Sequence, residues 1–405
     1  MLLGFAGEST PPLAFPGADG FAAHVSGGRG GAVYHVTNLN DSGPGSFRDA
    51  VSQPKRTVVF DVGGDINLKS VVNVASDITI AGQTAPGEGI GTRNYEISFS
   101  NSKNIIVRFI RFRQGNTEGQ NKKSAVDIYQ GDDMIFDHVS IEWGRWDTVD
   151  MNLCHNITMQ YCIIGQGVSP QRFGCLCQSQ NVTFTHDLWI NNQSRNPKAK
   201  GTVQYVNNVV YNWGVSGFVE GHSAADSYDD VVGNYFIAGP ASGGRHAMAE
   251  GKPTDKIYSS GNFVDFNANG VLDGVPMSDA DMGDITVQKS PFSKLSDLQI
   301  DSAAVAYDKV IAGAGCSLHR DGVDRNLIDQ VKSLGREGKI VEDVADIIGG
   351  PAEIQGGSIQ KAAPADGIPD DWKAAHGNAP SPEGYTPLEL YLQSLVAPYP
   401  TASAR

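Results

Sequence analysis

The feature that most constrains this sequence is a repeated run of β-prone residues. Each run is short and alternating, and a second short apolar run follows it after a corner of Asn, Gly, His or Asp. The gaps between the runs are rich in Gly, Asn, Ser and Asp, which favour turns. The runs recur at intervals of roughly 20 to 30 residues, a period typical of solenoids, and they begin at Ile78, Asn104, Met134, Asn156, Asn181, Val203, Asp230 and Ile257.

These repeats predict an all-β fold, a right-handed parallel β-helix. Helical periodicity is almost missing before residue 285, so there is no room for βαβ units, which need a helix between strands. Stacked coils would build the core from columns of like residues. We predict one such column, made of Phe112, Ile141, Ile164, Trp189, Val210, Phe236 and Val264. An irregular β-sandwich is the alternative, although antiparallel hairpin signals are weak.

The C-terminal part of the sequence has a different pattern. Segments 326–332 and 386–392 have helical spacing, and Thr386 followed by Pro387 is typical of a helix start. We therefore predict two regions. Residues 1–284 form a parallel β-helix catalytic domain, and residues 285–405 form an extension whose short helices pack on the β-helix.

Charge and hydropathy exclude several classes of partner. The chain has 31 basic and 45 acidic residues, a net charge of −14, which argues against a nucleic-acid binder. No apolar run approaches the roughly 18 residues that span a bilayer, so we expect a soluble protein that does not enter membranes. Residues 1–4 do not form a complete signal peptide, which leaves both a cytoplasmic protein and a mature secreted protein open.

The cysteines are clustered but do not have zinc-site spacing. Paired C-x-x-C motifs are absent, which makes zinc improbable. Cys154 precedes Cys175 and Cys177 by about one coil, and adjacent coils lie about 4.8 Å apart. We expect either a disulfide between coils or a stack of buried free thiols. The five cysteines are Cys154, Cys162, Cys175, Cys177 and Cys316.

Charged residues recur at positions that a β-helix would align in rows. Converging carboxylates repel each other, and a hard cation such as Ca²⁺ relieves that repulsion. A basic strip nearby would attract a polyanion locally on an acidic protein. Ordinary solvated turn residues are the alternative for each group. The segments lie one to three coils apart and contain Asp137 with His138, Asp147 with Asp150, and Arg195 with Lys198 and Lys200.

Several motifs occur in an order that resembles a known enzyme family. The chain contains IFDH at residues 135–138, NVTFTHDLW at 181–189, SRNPK at 194–198 and VNNVVYNW at 206–213. Together they resemble the pectate lyase superfamily, and polysaccharide lyase family one in particular. The resemblance covers about residues 13–265. It departs from the family where Asp147 and Asp150 lie three residues apart instead of four, and where Lys198 and Lys200 replace arginines.

This resemblance implies a secreted enzyme that cleaves polygalacturonate, the acidic polysaccharide of pectin, by Ca²⁺-assisted β-elimination. Arg195 matches the catalytic base of the family. Asp137 matches a Ca²⁺ ligand, and Asp147 and Asp150 resemble the acidic pair that supplies the others. Chemistry alone would first suggest His186 as the base. We expect a monomer whose substrate-binding residues are Arg172, Lys198, Lys200 and His186.

Three other functions are compatible with a β-helix. A glycoside hydrolase would need two carboxylates across the scissile bond, for which Asp132 and Asp133 are candidates. A non-catalytic binding module would need cations but no base. A pectin lyase that does not use Ca²⁺ would not need the acidic residues. Segment 265–273 spaces its oxygens like a calcium loop, but a turn of the β-helix is the favoured interpretation.

Overall fold

The computed structural model describes residues 11–220, 225–242, 246–249, 251–359 and 364–396, so residues 1–4, considered above for a signal peptide, lie outside the described residues. Strands of successive coils pair in parallel and stack into ladders, which confirms the predicted parallel β-helix. Two long strands change register partway along, between Asn152 and His155 and between Ser179 and Val182, so each contributes to two faces. The molecule therefore has three faces.

The first face contains short strands and the first halves of the long ones. Its strands are Val72–Asn73, Ile97–Ser98, Val126–Tyr129, the first parts of Asp147–Gln160, Phe173–Thr185 and Lys198–Val206, then Ser216–Val219 and His246–Ala249. The second face contains Ala32–Val36, Arg56–Phe60, Ile78–Ala81, Lys103–Arg108, Asp132–Asp137, the second parts of the long strands, Ser227–Val232, Lys256–Ser260 and Thr286–Gln288.

The third face follows a sharp corner after the second. Its parallel strands are Val62–Asn67, Ile90–Arg93, Arg111–Arg113, Ser140–Glu142, Ile163–Gly165, Leu188–Ile190, Val209–Tyr211, Tyr235–Ile237 and Phe263–Asp265. Two short antiparallel strands, Val275–Pro276 and Gly357–Ser358, pair at its ends. Short 3₁₀ turns lie at Gly82–Thr84, Asp279–Met282, Leu295–Asp297, Ser317–His319 and Val344–Asp346.

The predicted core column lies on the inner side of the third face. Phe112, Ile141, Ile164, Trp189, Val210, Phe236 and Val264 are paired one to the next in the ladder, and all are buried. The prediction is confirmed residue by residue. Because each coil places the same position over the last, apolar side chains stack on their counterparts in the coils above and below.

The expected disulfide between coils is wrong, and the alternative of buried free thiols is what the structure shows. All five cysteines are free and buried. The register explains this, because Cys175 pairs with Val149 and Cys177 with Met151, not with Cys154. Cys154 lies at the bend of its strand, where its thiol donates to the carbonyl of Ile128.

The C-terminal extension packs on the outside of the β-helix. Helices α2 (Ala303–Gly313) and α3 (Gly322–Lys332) bury apolar side chains against the third face. Helix α5 (Pro387–Ser394) packs against Val59 and Ala81 of the second face. The predicted helix start at Thr386 is confirmed, because its side chain caps α5 with Glu389 in a capping box. The helices are α1 Phe47–Ala50, α2 Ala303–Gly313, α3 Gly322–Lys332, α4 Asp370–His376 and α5 Pro387–Ser394.

A buried ionic cluster fixes α3 to the third face. Arg113 donates to Glu142 at 2.8 Å and also contacts Asp321 and Asp324, while Arg111 donates to Asp324 at 3.0 Å. These side chains are fully buried. Three carboxylates thus meet two guanidinium groups at this interface.

The strand Thr286–Gln288 ends the parallel ladder just past the predicted boundary, and the division of the chain at residues 284 and 285 stays a prediction.

None of the helices in the described part of the chain has the length and apolar character needed to cross a membrane.

Segment 265–273 forms a turn whose polar side chains form hydrogen bonds with each other. Asn267 and Asn269 donate to Asp273 at 2.7 and 3.0 Å, and the backbone of Asn267 donates to Asp265. These contacts agree with the interpretation of the segment as a β-helix turn.

Candidate active site

The first face brings together several of the charged residues that the sequence singles out. Asp150 pairs with Asp127 of the preceding coil and with Leu176 of the next, and Leu176 pairs with Lys198 one coil further on. Asp147 begins the same strand as Asp150, and Arg195 lies just before Lys198. We call this the first-face groove and define it by Asp127, Asp147, Asp150, Phe173, Arg195 and Lys198.

Arg195 is held from two directions. Its Nη1 donates to both carboxylate oxygens of Asp147, at 2.9 and 3.0 Å. Its guanidinium carbon lies 4.0 Å from the centroid of the Phe173 ring, a cation–π contact. Phe173 reaches this position because it pairs with Asp147 on one side and forms a bridge to Ser194 on the other. The guanidinium therefore has a fixed orientation in the groove.

Asp147 and Asp150 have raised pKa values, and burial is the main cause for both. Burial raises the pKa of Asp147 to about 6, although Arg195 and Lys198 act in the opposite direction. Burial, together with the charges of Asp147 and Asp127, raises the pKa of Asp150 to about 7. Repulsion between these oxygens in the absence of a sufficient counter-charge is the condition that a divalent cation would relieve.

The residues of the groove fit a hard cation. Asp127 and Asp150 are register partners on adjacent coils, and carboxylate oxygens are the ligands that Ca²⁺ prefers. Within the described ranges, no group of three or more His, Cys, Asp and Glu side chains is arranged to hold a metal ion. Asp127 and Asp150 are the two that would hold the cation, and Asp147 is engaged by Arg195.

Asp127 was missed from the sequence. It accepts hydrogen bonds from the hydroxyls of Ser100 and Ser98, the latter at 3.4 Å. The signal that could have found it is the alternating run Val126–Tyr129, which places an acidic residue one coil before Asp150. Phe173 was also missed, since only the register shows which guanidinium its ring faces.

Two predicted site residues lie elsewhere. Asp137 ends a strand of the second face, where Arg108, His138 and Gln160 donate to its carboxylate at 2.7, 2.8 and 2.8 Å. Burial alone would raise the pKa of Asp137, but His138 and Arg108 outweigh it and lower the pKa. The structure therefore corrects the grouping of Asp137 with Asp147 and Asp150, because strands of different faces place them apart.

His186 lies with Asp137 at the corner between the second and third faces. Both line a cavity of about 40 Å³. The ring of His186 stacks on Tyr161 at 4.9 Å, and its Nε2 lies 2.9 Å from Asp301. Burial lowers the pKa of His186. This corner is not part of the first-face groove, so the predicted substrate contact of His186 is not supported by its position.

Of the two lysines in the predicted basic strip, only Lys198 belongs to the groove. Its ammonium charge acts to lower the pKa of Asp147, against the larger effect of burial. Lys200 is 1% exposed and donates to the buried Asp255 at 2.7 Å. Because its ammonium is enclosed, Lys200 is corrected from a substrate contact to a residue of a buried ion pair.

Arg172 precedes Phe173 at the edge of the groove. Its guanidinium contacts the carboxylate of Glu342 from the C-terminal extension. The side chain of Arg172 is 26% exposed and that of Glu342 is 63% exposed, so both are open to solvent. Arg172 is thus placed where a carboxylate from outside the protein could reach it.

Known proteins resemble this chain in both sequence and fold, although no model of a protein family matches it. In sequence, the chain is similar over nearly its whole length to fungal proteins named probable pectate lyase C. The Aspergillus fumigatus protein is 43% identical over 98% of this chain and 96% of its own length. The Emericella nidulans protein of the same name is also 43% identical, with the same coverage.

Solved structures show the same fold at low sequence identity. The major allergen of cedar pollen has a TM-score of 0.56 and 17% identity, covering 74% of this chain and 92% of its own. A Bacillus pectate lyase in complex with trigalacturonate has a TM-score of 0.52 and 18% identity, covering 73% and 98%. The fold is therefore that of the β-helical polysaccharide lyases. With the full-length relatives, the chain belongs to the pectate lyase family.

Proposed function

We propose that this protein is a Ca²⁺-dependent lyase that cleaves polygalacturonate by β-elimination and leaves 4,5-unsaturated oligouronides. One observation carries the proposal. A guanidinium fixed by Asp147 and Phe173 lies in the same groove as the carboxylate pair of Asp127 and Asp150. The names of the relatives support the same reaction, and the trigalacturonate complex is a property of the Bacillus enzyme that agrees with the substrate proposed here.

The reaction requires removal of the proton on C5 of a uronate, followed by departure of the group on C4. Arg195 is the proposed base, with Asp147 and Phe173 keeping its guanidinium in one orientation. Lys198 and Arg172 would hold substrate carboxylates through charge-assisted hydrogen bonds. Asp127 and Asp150 would hold Ca²⁺, which supplies charge stabilisation for the carbanion that forms beside the substrate carboxylate. Neither Asp137 nor His186 is needed for these roles.

The proposed partner is an acidic polysaccharide, and we propose that the enzyme acts as a secreted monomer. Arg195 and Lys198 place two cationic side chains in the groove, and a Ca²⁺ ion held by Asp127 and Asp150 would add further positive charge, on a protein whose net charge is −14. That local charge offsets the repulsion of a polyanion. The hydrolase alternative is not proposed, because Asp132 and Asp133 lie on the second face, where they contact His155 and Asn156.

The test is incubation with polygalacturonate while ultraviolet absorbance of the unsaturated product is followed. Full activity is expected with Ca²⁺, and activity should fall at least about tenfold in excess chelator and return when Ca²⁺ is restored. Asp150→Asn should weaken Ca²⁺ binding and so raise the Ca²⁺ concentration needed for activity, and Asp329→Asn, at an exposed position of α3, serves as the matched control. Chain cleavage that produces reducing ends without the absorbance would identify a hydrolase and refute the proposal.

A further inference from the structure

Three hydrogen bonds join Glu342 of the C-terminal extension to Arg172 and Ser169 at the edge of the first-face groove. The carboxylate of Glu342 accepts from the guanidinium of Arg172 and from the hydroxyl of Ser169. The backbone carbonyl of Glu342 also accepts from the amide of Ser169, at 2.9 Å. Val341, the preceding residue, is fully buried against the third face. The extension is therefore anchored beside Arg172, and Glu342 is aimed at it.

This ion pair differs from the other Arg and Lys contacts near the groove. Lys200 with Asp255 is 1% and 0% exposed, whereas Arg172 with Glu342 is 26% and 63% exposed. An exposed pair is weak because water solvates both partners when they separate. A buried pair cannot separate without leaving a charge unpaired in the interior. The contact of Arg172 with Glu342 is thus the one that an incoming ligand could open.

The guanidinium of Arg172 is also incompletely satisfied. Its Nη1 bonds to Glu342, but its Nε–H is buried and has no acceptor among the residues that the structure describes. A guanidinium satisfies two donors at once when a carboxylate approaches it in a bidentate arrangement. Displacement of Glu342 would therefore let the guanidinium of Arg172 turn toward an external carboxylate and use two donors at once.

We propose that Glu342 is an internal carboxylate that competes with the substrate for Arg172, and so sets the affinity of the groove for acidic polysaccharide. The inference rests on the proposed function, because it takes a uronate carboxylate as the group that displaces Glu342. A neutral, esterified uronate lacks the charge needed for this exchange. Glu342 therefore favours the charged substrate over the methyl ester.

The variant Glu342→Gln tests this without disturbing the fold, because the side chain is mostly exposed. Its KM for polygalacturonate should fall about two- to fivefold, the range set by the usual strength of an exposed ion pair, while kcat stays unchanged. The matched control is Glu337→Gln, which removes one negative charge from an exposed position in the same extension and should leave KM unchanged. A rise in KM for Glu342→Gln, or an equal fall for the control, would overturn the proposal.

A double-mutant cycle identifies Arg172 as the partner. In the Arg172→Gln background, Glu342→Gln should have no further effect on substrate affinity. An undiminished effect there would also overturn the proposal. Direct binding of trigalacturonate, measured by calorimetry in the Arg195→Lys background, separates this inference from the proposed function. If the protein has no lyase activity, the ranking of the dissociation constants still decides whether Glu342 competes with a uronate.

Discussion

Replacing Arg195 by Lys isolates the role of the guanidinium in the reaction. The choice of Lys follows from the structure, because Arg195 is the partner of the buried Asp147. An Ala substitution would leave that carboxylate without its counter-charge, and loss of one partner of a buried pair costs about 3–5 kcal/mol. Lys retains a positive charge near Asp147 but cannot donate in the same planar arrangement or stack on Phe173 in the same way.

We expect Arg195→Lys to lower kcat at least about a hundredfold, which is the lower end of the range for losing a general base. The KM should change much less, because Arg172 and Lys198 still contact substrate carboxylates. The assay is the initial rate of ultraviolet absorbance increase at several polygalacturonate concentrations in Ca²⁺. Thermal unfolding of the variant controls for loss of the fold. Near-normal kcat with a raised KM would make Arg195 a binding residue and refute the assignment of the base.

Three further predictions concern the fold. Burial raises the pKa of Glu142 to about 8 from its ordinary 4.5, opposed by the charge of Arg113 and helped by the charges of Asp324 and Asp321. The contribution of Glu142 to folding stability is therefore fully present below pH 4.5 and is lost as pH rises through about 8. Glu142→Gln should therefore flatten the dependence of Tm on pH between about 5 and 8, and an unchanged slope would refute this. Ile164→Ala should reduce the free energy of unfolding by about 2–5 kcal/mol in denaturant titrations, whereas a loss below 1 kcal/mol would contradict its place in the core column. A thiol titration of the unreduced, denatured protein should find five free cysteines. A result of three free cysteines would mean that two are joined in a disulfide, and would contradict this prediction.

The repeats were enough to predict the architecture because a β-helix is a nearly one-dimensional structure. Each coil contacts its neighbours, so a periodic pattern of apolar residues maps directly onto a column. This is why Phe112 through Val264 could be aligned from the sequence. The start of α5 could also be predicted from the sequence, because Thr386, Pro387 and Glu389 act within a single helical turn.

The candidate site could be predicted only in part, because its pairings depend on more than the periodic pattern. The sequence identified Asp147, Asp150, Arg195 and Lys198 by residue type and order, but it grouped them with Asp137, His186 and Lys200. Whether a side chain faces the groove depends on which face its strand joins, and a bend in a long strand changes that face within a few residues. Burial of Lys200 against Asp255, 55 residues away, follows from stacking of coils.

The sequence by itself determined the solenoid, its core column and the chemical types of the groove residues, since these depend on periodicity and on local turn preferences. Tertiary structure decided which carboxylates meet. It placed Asp127 beside Asp150, gave Asp147 to Arg195, left the thiols unpaired and brought Glu342 of the extension to Arg172. These pairings depend on register between coils and on the path of the extension, and both are set by packing between residues distant in the chain.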